Sequence, residues 1–302
     1  MAEANTPKIL CVGALTLDTI FQMDALPEGP GKFLPLAAVE VAAGMASSAA
    51  TAIARLGGAV ALWASVGSDA TGQRLIGEIS AEGVDCSTIR MVDGARSAFA
   101  TILVDRQGER IIVPHYDRAL LAAPEMVPGF SGYAAVMTDV RWPLGAALAL
   151  AAARDAGIPA ILDADVAAPE TLDLLLPLAT HIVASEPAAY RVTGQSDPET
   201  AVLSLAEHHD AFIAVTAGPN GVYWLDPATR RVKHAGSPRI VARDTLAAGD
   251  VFHGAFALGL VEGMAMETLM AFAATAAAIK CETFGGRLGA PTRETVLGRM
   301  TR

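Results

Sequence analysis

The feature that most limits the folds open to this chain is an alternation of short apolar runs with longer helical patterns. Runs at Ile9–Val12, Val60–Ala64, Ala134–Thr138, Ala160–Leu162, His181–Ala184 and Phe212–Thr216 have the length and the bounding turn residues of buried strands. Helical patterns are expected at Ser47–Leu56, Thr71–Glu82, Leu144–Ala156, Glu170–Leu176, Ala201–His208, Ala248–Glu262, Met266–Cys281 and Arg293–Met300. Strands apolar on both faces need helices on both faces, so the pattern predicts an α/β three-layer sandwich around a mostly parallel sheet. Two segments break the alternation. Leu17–Asp24 with Phe33–Val39 is one; Ala98–Val104, joined by a DRQG turn to Arg110–His115, is the other. Four strands without intervening helices predict a small sheet standing off the main body, in residues about 14–40 and 96–117. Such a sheet can cover a site as a lid, or pair with its copy in a homodimer.

Composition narrows the function. With 52% hydrophobic and 18% charged residues, the 302-residue chain reads as one large domain, residues 1–302, rather than a disordered one. A net charge of −10 offers no basic surface for nucleic acid. An anionic ligand would have to be held by a few local Lys or Arg side chains or by helix N-termini. Cys11, Cys86 and Cys281 lack disulfide-framework or metal-ligand spacing, which fits a reduced, cytoplasmic protein. The start, MAEANTPK, carries no signal-peptide pattern, and the longest apolar stretches are too short to span a bilayer.

Polar residues collect at the predicted strand ends: Gly13 and Asp18, Gly67 and Asp69, Asp139 and Arg141, Asp163 and Asp165, Ser185 and Glu186, Thr216 and Gly218. Ligands of open α/β sheets sit beyond those ends, although loop residues and helix caps collect there too. The string DTLAAGDVFHG, residues 244–254, adds chemistry. A small-residue turn, Ala247-Ala248-Gly249, leads into a long helix whose bare first-turn amides and dipole suit an anion. Asp250 follows in that first turn, where a carboxylate either takes a proton from a hydroxyl or simply complements the dipole.

This string resembles the DTxGAGDxF signature of the ribokinase-like (PfkB) sugar kinases. The resemblance extends over nearly the whole chain: GALTLD, AAGMASSAATAIARLGG, VGSDATGQRL with EGVD, and VTAGPNGVYW each match family strings. It implies ATP and Mg²⁺ as cofactors, often a monovalent cation such as K⁺ near the Asp244 loop, and Asp250 as catalytic base beside Ala247, Ala248 and Gly249. It further implies a small-molecule sugar held by Asp18, Gly44, Ser48 and Asp139, with Ser185, Thr216, Gly218 and Gly221 lining the nucleotide pocket. Two departures stand out. Ser48 replaces a sugar-binding Asn, and the NxxE motif tied to magnesium reads Ser185-Glu186-Pro187-Ala188, leaving Glu186 and Asp165 as candidates for metal contacts through water.

Within the family, IKCETFGGRLGAP resembles the ketohexokinases. LPEGPGKF, GERII, DVRW, SEPAA and GDVFHGA are more similar still to the 6-deoxy-6-sulfofructose kinases. That likeness implies phosphorylation at a C1 hydroxyl, with Lys32 and Arg141 facing a sulfonate; Pro114-His115 departs from it. Fructokinase-like, ribokinase-like or nucleoside kinase activity on a neutral substrate, and a non-catalytic sugar sensor, are the alternatives. A dinucleotide-binding dehydrogenase is weaker because no G-x-G-x-x-G follows the first strand.

Overall fold

The computed structural model describes residues 7–301. In chain order the elements are β1 (Lys8–Gly13), β2 (Thr16–Gln22), β3 (Ala37–Ala43), α1 (Met45–Arg55), β4 (Ala59–Gly67), α2 (Ala70–Ala81), β5 (Arg90–Val92), β6 (Phe99–Val104), β7 (Arg110–His115), β8 (Tyr133–Thr138), α3 (Pro143–Asp155), β9 (Ala160–Ala164), α4 (Pro169–Leu175), β10 (His181–Ser185), α5 (Glu186–Thr193), α6 (Pro198–His208), β11 (Phe212–Thr216), β12 (Val222–Leu225), β13 (Val232–Ala235), α7 (Ala248–Val261), α8 (Met266–Cys281) and α9 (Arg293–Met300).

Nine strands form one sheet in the order β13-β12-β11-β10-β9-β8-β1-β4-β5. It is parallel from β11 through β5, and the edge hairpin β12–β13 runs antiparallel. Alternate residues of β1 show why both faces are covered. Ile9 and Cys11 enter a core with residues of α1, α7 and α8; Leu10 and Val12 enter a second core with residues of α3, α4 and α6. The period-2 alternation of a fully apolar strand thus builds the three layers. From β1 the chain leaves for the small sheet and returns to β4 on one side; later it enters β8 on the other. The strand order therefore reverses at β1, which opens a crevice at the carboxyl ends of the strands.

The second sheet has the order β3-β2-β6-β7, antiparallel except for the parallel β2–β6 pair. Ile20, Val41, Ala100, Ile102 and Val104 on one face pack with Leu246 and Phe284, which flank α7 and α8. That contact seats the small sheet against the turn that enters α7.

Local expectations shift in three places. The strand expected at Phe33–Val39 begins only at Ala37, because Pro35 supplies no ladder donor. The short strands β5, β12 and β13 were not expected; pairing rather than a local pattern sustains them. Helix α5 was also not expected. It starts at Glu186, with Ser185 as its N-cap accepting from the Ala188 amide at 3.4 Å. No helix among the described residues is long and apolar enough to cross a membrane.

Candidate active site

A cleft of about 760 Å³ lies between the carboxyl ends of the central strands and the small sheet. Its floor is the start of α7. The chain reaches that helix through Ala247, whose φ of 65° and ψ of 10° make it one of only two non-glycine residues with positive φ among the described residues. The αL turn ends the preceding loop and leaves the helix start without a side-chain cap. The Ala248 amide bonds Thr245 O at 3.2 Å and the Val251 amide bonds Ala247 O at 3.0 Å, whereas the amides of Gly249 and Asp250 find no backbone acceptor among the described residues. Two unpaired N–H groups and the positive end of a 14-residue helix therefore converge on the cleft.

Gly249 itself is informative. Its φ is not positive, and a Cβ built on it would meet no atom of the described residues within 4 Å. Neither backbone conformation nor packing asks for glycine there, but a ligand pressed against the amides would. Gly44, by contrast, is required by the protein, with φ 111° and a would-be Cβ 2.5 Å from Ala14 O.

Asp250 lines the cleft and is half-buried. Loss of water, then the neighbouring carboxylates Asp163, Asp165 and Asp139, push its carboxyl well above the ordinary range, and Arg110 opposes them. That direction suits a group that must accept a proton near neutrality. Three residues on, the buried His253 ties the helix start to the sheet: Nδ1 lies 2.7 Å from Gly249 O and Nε2 3.1 Å from Val183 O. Asp163 Oδ2, 3.3 Å from the same Nδ1, has no hydrogen-bond partner among the described residues.

Most residues expected at the site come together. Asp18, Gly44, Ser48, Arg141, Asp165, Ser185, Glu186, Thr216 and Gly218 all line the one cleft. Asp18 is 7% exposed, and burial raises its pKa to about 6, with the Thr16 hydroxyl at 2.7 Å pulling the other way. Ser48 makes no side-chain hydrogen bond among the described residues, so its hydroxyl remains free for a ligand. The Ser185 hydroxyl is committed to Asp165 Oδ1 at 3.0 Å and to capping α5.

Three expected residues do not line the cleft. Asp139 is fully buried. Its Oδ2 accepts from the amides of Ala14 (2.8 Å) and Ala46 (3.0 Å) and its Oδ1 from that of Arg141 (2.7 Å), so it braces the walls instead of touching a ligand. Gly221 makes the turn into β12, where a Cβ would sit 2.0 Å from Ala235 O. Lys32 is exposed in the loop between β2 and β3 and makes no hydrogen bond or ion pair among the described residues. Arg141 does line the cleft, yet it already donates to Asp165 Oδ2 and Val166 O, each at 2.9 Å.

Arg110 and Tyr116 were missed. Arg110, at the start of β7, lines the cleft and donates to Thr245 Oγ1 at 2.8 Å, which brings a guanidinium from the small sheet beside the α7 turn. The available signal was its place directly after the tight turn of a hairpin expected to cover a site. Among the described residues, no three His, Cys, Asp or Glu side chains converge to hold a metal. Asp165 is paired and Glu186 Oε1 accepts from Tyr190 at 2.7 Å. Carboxylates spread singly along a cleft fit an ion that arrives with a ligand's phosphates and keeps its waters, not a protein cage.

Comparison with known proteins agrees with this geometry. The family model "pfkB family carbohydrate kinase" matches residues 6–293. A ribokinase from Haemophilus influenzae is 29% identical over 307 residues, covering 95% of this chain and 96% of its own. A fructokinase from Klebsiella pneumoniae is 28% identical over 264 residues, covering 80% and 81%. A solved structure of a protein provisionally named a ribokinase, from Agrobacterium tumefaciens, superposes with a TM-score of 0.94 at 47% identity, covering 98% of this chain and 97% of its own.

Proposed function

The chain belongs to the pfkB family of carbohydrate kinases, and from that premise we propose that it transfers the γ-phosphoryl group of ATP to a sugar hydroxyl in this cleft, with Asp250 as general base. The observation that carries the reading is the start of α7: two unpaired amides, a glycine that only a ligand would require, and a carboxylate of raised pKa in one turn.

In this mechanism the nucleotide lies along Thr216 and Gly218 with its phosphates over Ala247, Ala248 and Gly249. The sugar lies toward the small sheet, where Asp18 and Ser48 accept or donate hydrogen bonds to its hydroxyls. Asp250 accepts the proton of the attacking hydroxyl. The Gly249 and Asp250 amides hold charge on the transferring group, and Arg110 adds a cation from the lid side. Asp139 acts indirectly by fixing the Ala46 amide at the head of α1. Magnesium bound with the nucleotide would neutralise phosphate charge, with Glu186 and Asp165 holding it through water.

For the acceptor we favour the C1 hydroxyl of a ketohexose, with 6-deoxy-6-sulfofructose as the sugar matching the sequence likeness best. A sulfonate would draw on the unused N–H groups of Arg141, which lines the cleft, whereas Lys32 lies outside it. A neutral sugar is the second reading, favoured by the pairing of Arg141 with Asp165. The test is ATP-dependent ADP release with 6-deoxy-6-sulfofructose, fructose and ribose side by side. The sulfonated sugar is expected to give the highest kcat/KM, and Arg141→Ala to reduce that value far more than the value for fructose. Equal loss on both sugars would sink the anion site, and sugar-independent ADP release throughout would sink the kinase reading.

A second copy is the partner we propose for the lid. Every residue of the edge strand β7 is exposed, including Ile111, Ile112 and Val113. An apolar edge of this kind invites pairing. A homodimer by light scattering is expected, and Val113→Lys should dissociate it; a wild-type monomer would contradict it.

A further inference from the structure

Lys280 stands in the last turn of α8 with none of its surface open to solvent. Its Nζ donates to the main-chain oxygen of Asp244 at 2.6 Å and lies 3.4 Å from Asp244 Oδ2. Asp244 is equally buried, and its carboxylate is fully occupied: Oδ1 accepts from the Leu246 amide at 2.8 Å, Oδ2 from the Gly285 amide at 2.9 Å and the Gly286 amide at 2.8 Å. One ammonium and one carboxylate thus tie together the end of α8, the turn at 285–286 and the segment 244–247 that delivers the chain into the αL turn at Ala247. Asp250 lies just beyond. A buried ammonium is expensive unless it is paired and hydrogen-bonded, and here burial is the main influence lowering the Lys280 pKa while Asp244 opposes it.

The family likeness implies a monovalent cation such as K⁺ near the Asp244 loop, and the residues present do not fit one. The Asp244 carbonyl oxygen and carboxylate already face a positive charge supplied by the chain. Two cations cannot share those oxygens at contact distance without strong repulsion. We propose that the Lys280 ammonium is a tethered replacement for a diffusible monovalent cation: a positioning residue that holds the 244–247 turn, and through it the α7 amides and Asp250, without any dissolved ion. The assignment rests on the kinase reading for its effect on turnover, but its effect on the fold of the turn does not.

The experiment has two arms. Thermal unfolding of the wild-type protein without substrate is recorded in potassium, sodium and tetramethylammonium chloride at one ionic strength, and initial rates with ATP and the best sugar are recorded in the same salts. Equal melting temperatures and equal rates in all three are expected. The second arm uses Lys280→Ala, which opens space beside the Asp244 oxygens. Its kcat should fall by about a hundredfold through misplacement of the turn. Potassium or methylammonium, but not tetramethylammonium, should restore part of that loss and raise the variant's melting temperature.

A wild-type melting temperature or rate raised selectively by potassium would overturn the proposal. So would a folded variant with wild-type kcat, or one whose loss no small cation restores. If the variant does not fold, the wild-type salt series decides alone. If no sugar is phosphorylated, the melting temperatures still decide, so failure of the kinase reading is distinguishable from failure of this one.

Discussion

Replacing Gly249 by Ala adds one methyl group at the second residue of α7, and its two effects should point in opposite directions. A Cβ at this position meets no atom of the described residues within 4 Å, so no strain opposes it. Alanine is better than glycine in a helix interior by roughly 1 kcal/mol, and about half of that is expected in a first turn. For a chain of this size the gain corresponds to a melting temperature higher by about 1–2 °C. The same methyl would stand where a phosphate oxygen must come within about 3 Å of the Gly249 and Asp250 amides. A displacement of roughly 1 Å in a transferring group costs about a hundredfold. Unfolding measured by circular dichroism, together with kcat/KM for ATP, separates the two effects. Gly77→Ala is the control: Gly77 lies inside α2, is exposed, and its added Cβ also meets nothing. Both variants should be stabilised, and only Gly249→Ala should lose activity. If Gly249→Ala keeps kcat/KM for ATP, no phosphate sits on those amides and the placement of the nucleotide is wrong.

Asp18 links pH to both stability and binding. Its folded pKa of about 6 lies above an ordinary carboxyl value of about 4. Its favourable contribution is therefore complete below about pH 4 and is lost as pH rises through about 6; at neutral pH the ionised group costs on the order of 3 kcal/mol. Asp18→Asn should stabilise the free protein at pH 7.5, not at pH 4, while raising KM for the sugar by about tenfold; equal melting-temperature changes at the two pH values would contradict the burial argument. In the wild type, kcat/KM for the sugar should fall below about pH 6 as Asp18 protonates. Arg110→Ala should lower kcat on the order of a hundredfold, with little change in melting temperature because the residue is exposed. Arg110→Lys should recover only part of the rate, since the lysine keeps the charge without the fork that reaches Thr245; unchanged kcat in the Ala variant would remove Arg110 from the site.

The main sheet was legible because its strands are apolar on both faces: Ile9–Val12 needed no tertiary information to be read as a buried strand, and the structure extends it by one residue at each end. The helix bearing Asp250 was legible for a similar reason, a small-residue turn running into a long apolar pattern. What the sequence hides is which polar groups a neighbour consumes. Asp139 and Asp18 look alike as carboxylates near strand ends, yet one spends its oxygens on three amides and the other keeps a place at the cleft. Gly221 and Gly249 are both glycines in family strings, but only coordinates reveal that Ala235 O crowds the first and nothing crowds the second. Lys32 was placed by its nearness in sequence to the lid, and sequence distance does not say which way a loop carries a side chain. Asp69 illustrates the bland alternative: it caps α2 through the Gly72 amide at 2.7 Å and braces Ser97. Arg110 and Lys280 escaped notice because their partners, Thr245 and Asp244, are 135 and 36 residues away.

Single-turnover phosphorylation by Asp250→Asn, with nucleotide affinity measured in parallel by calorimetry, bears most directly on the whole scheme. Asparagine keeps the shape of the first turn but cannot accept the proton. The rate should therefore drop by about three orders of magnitude or more while ATP binds as in the wild type. A variant that still phosphorylates sugar at close to the original rate would mean that the proton leaves by another route.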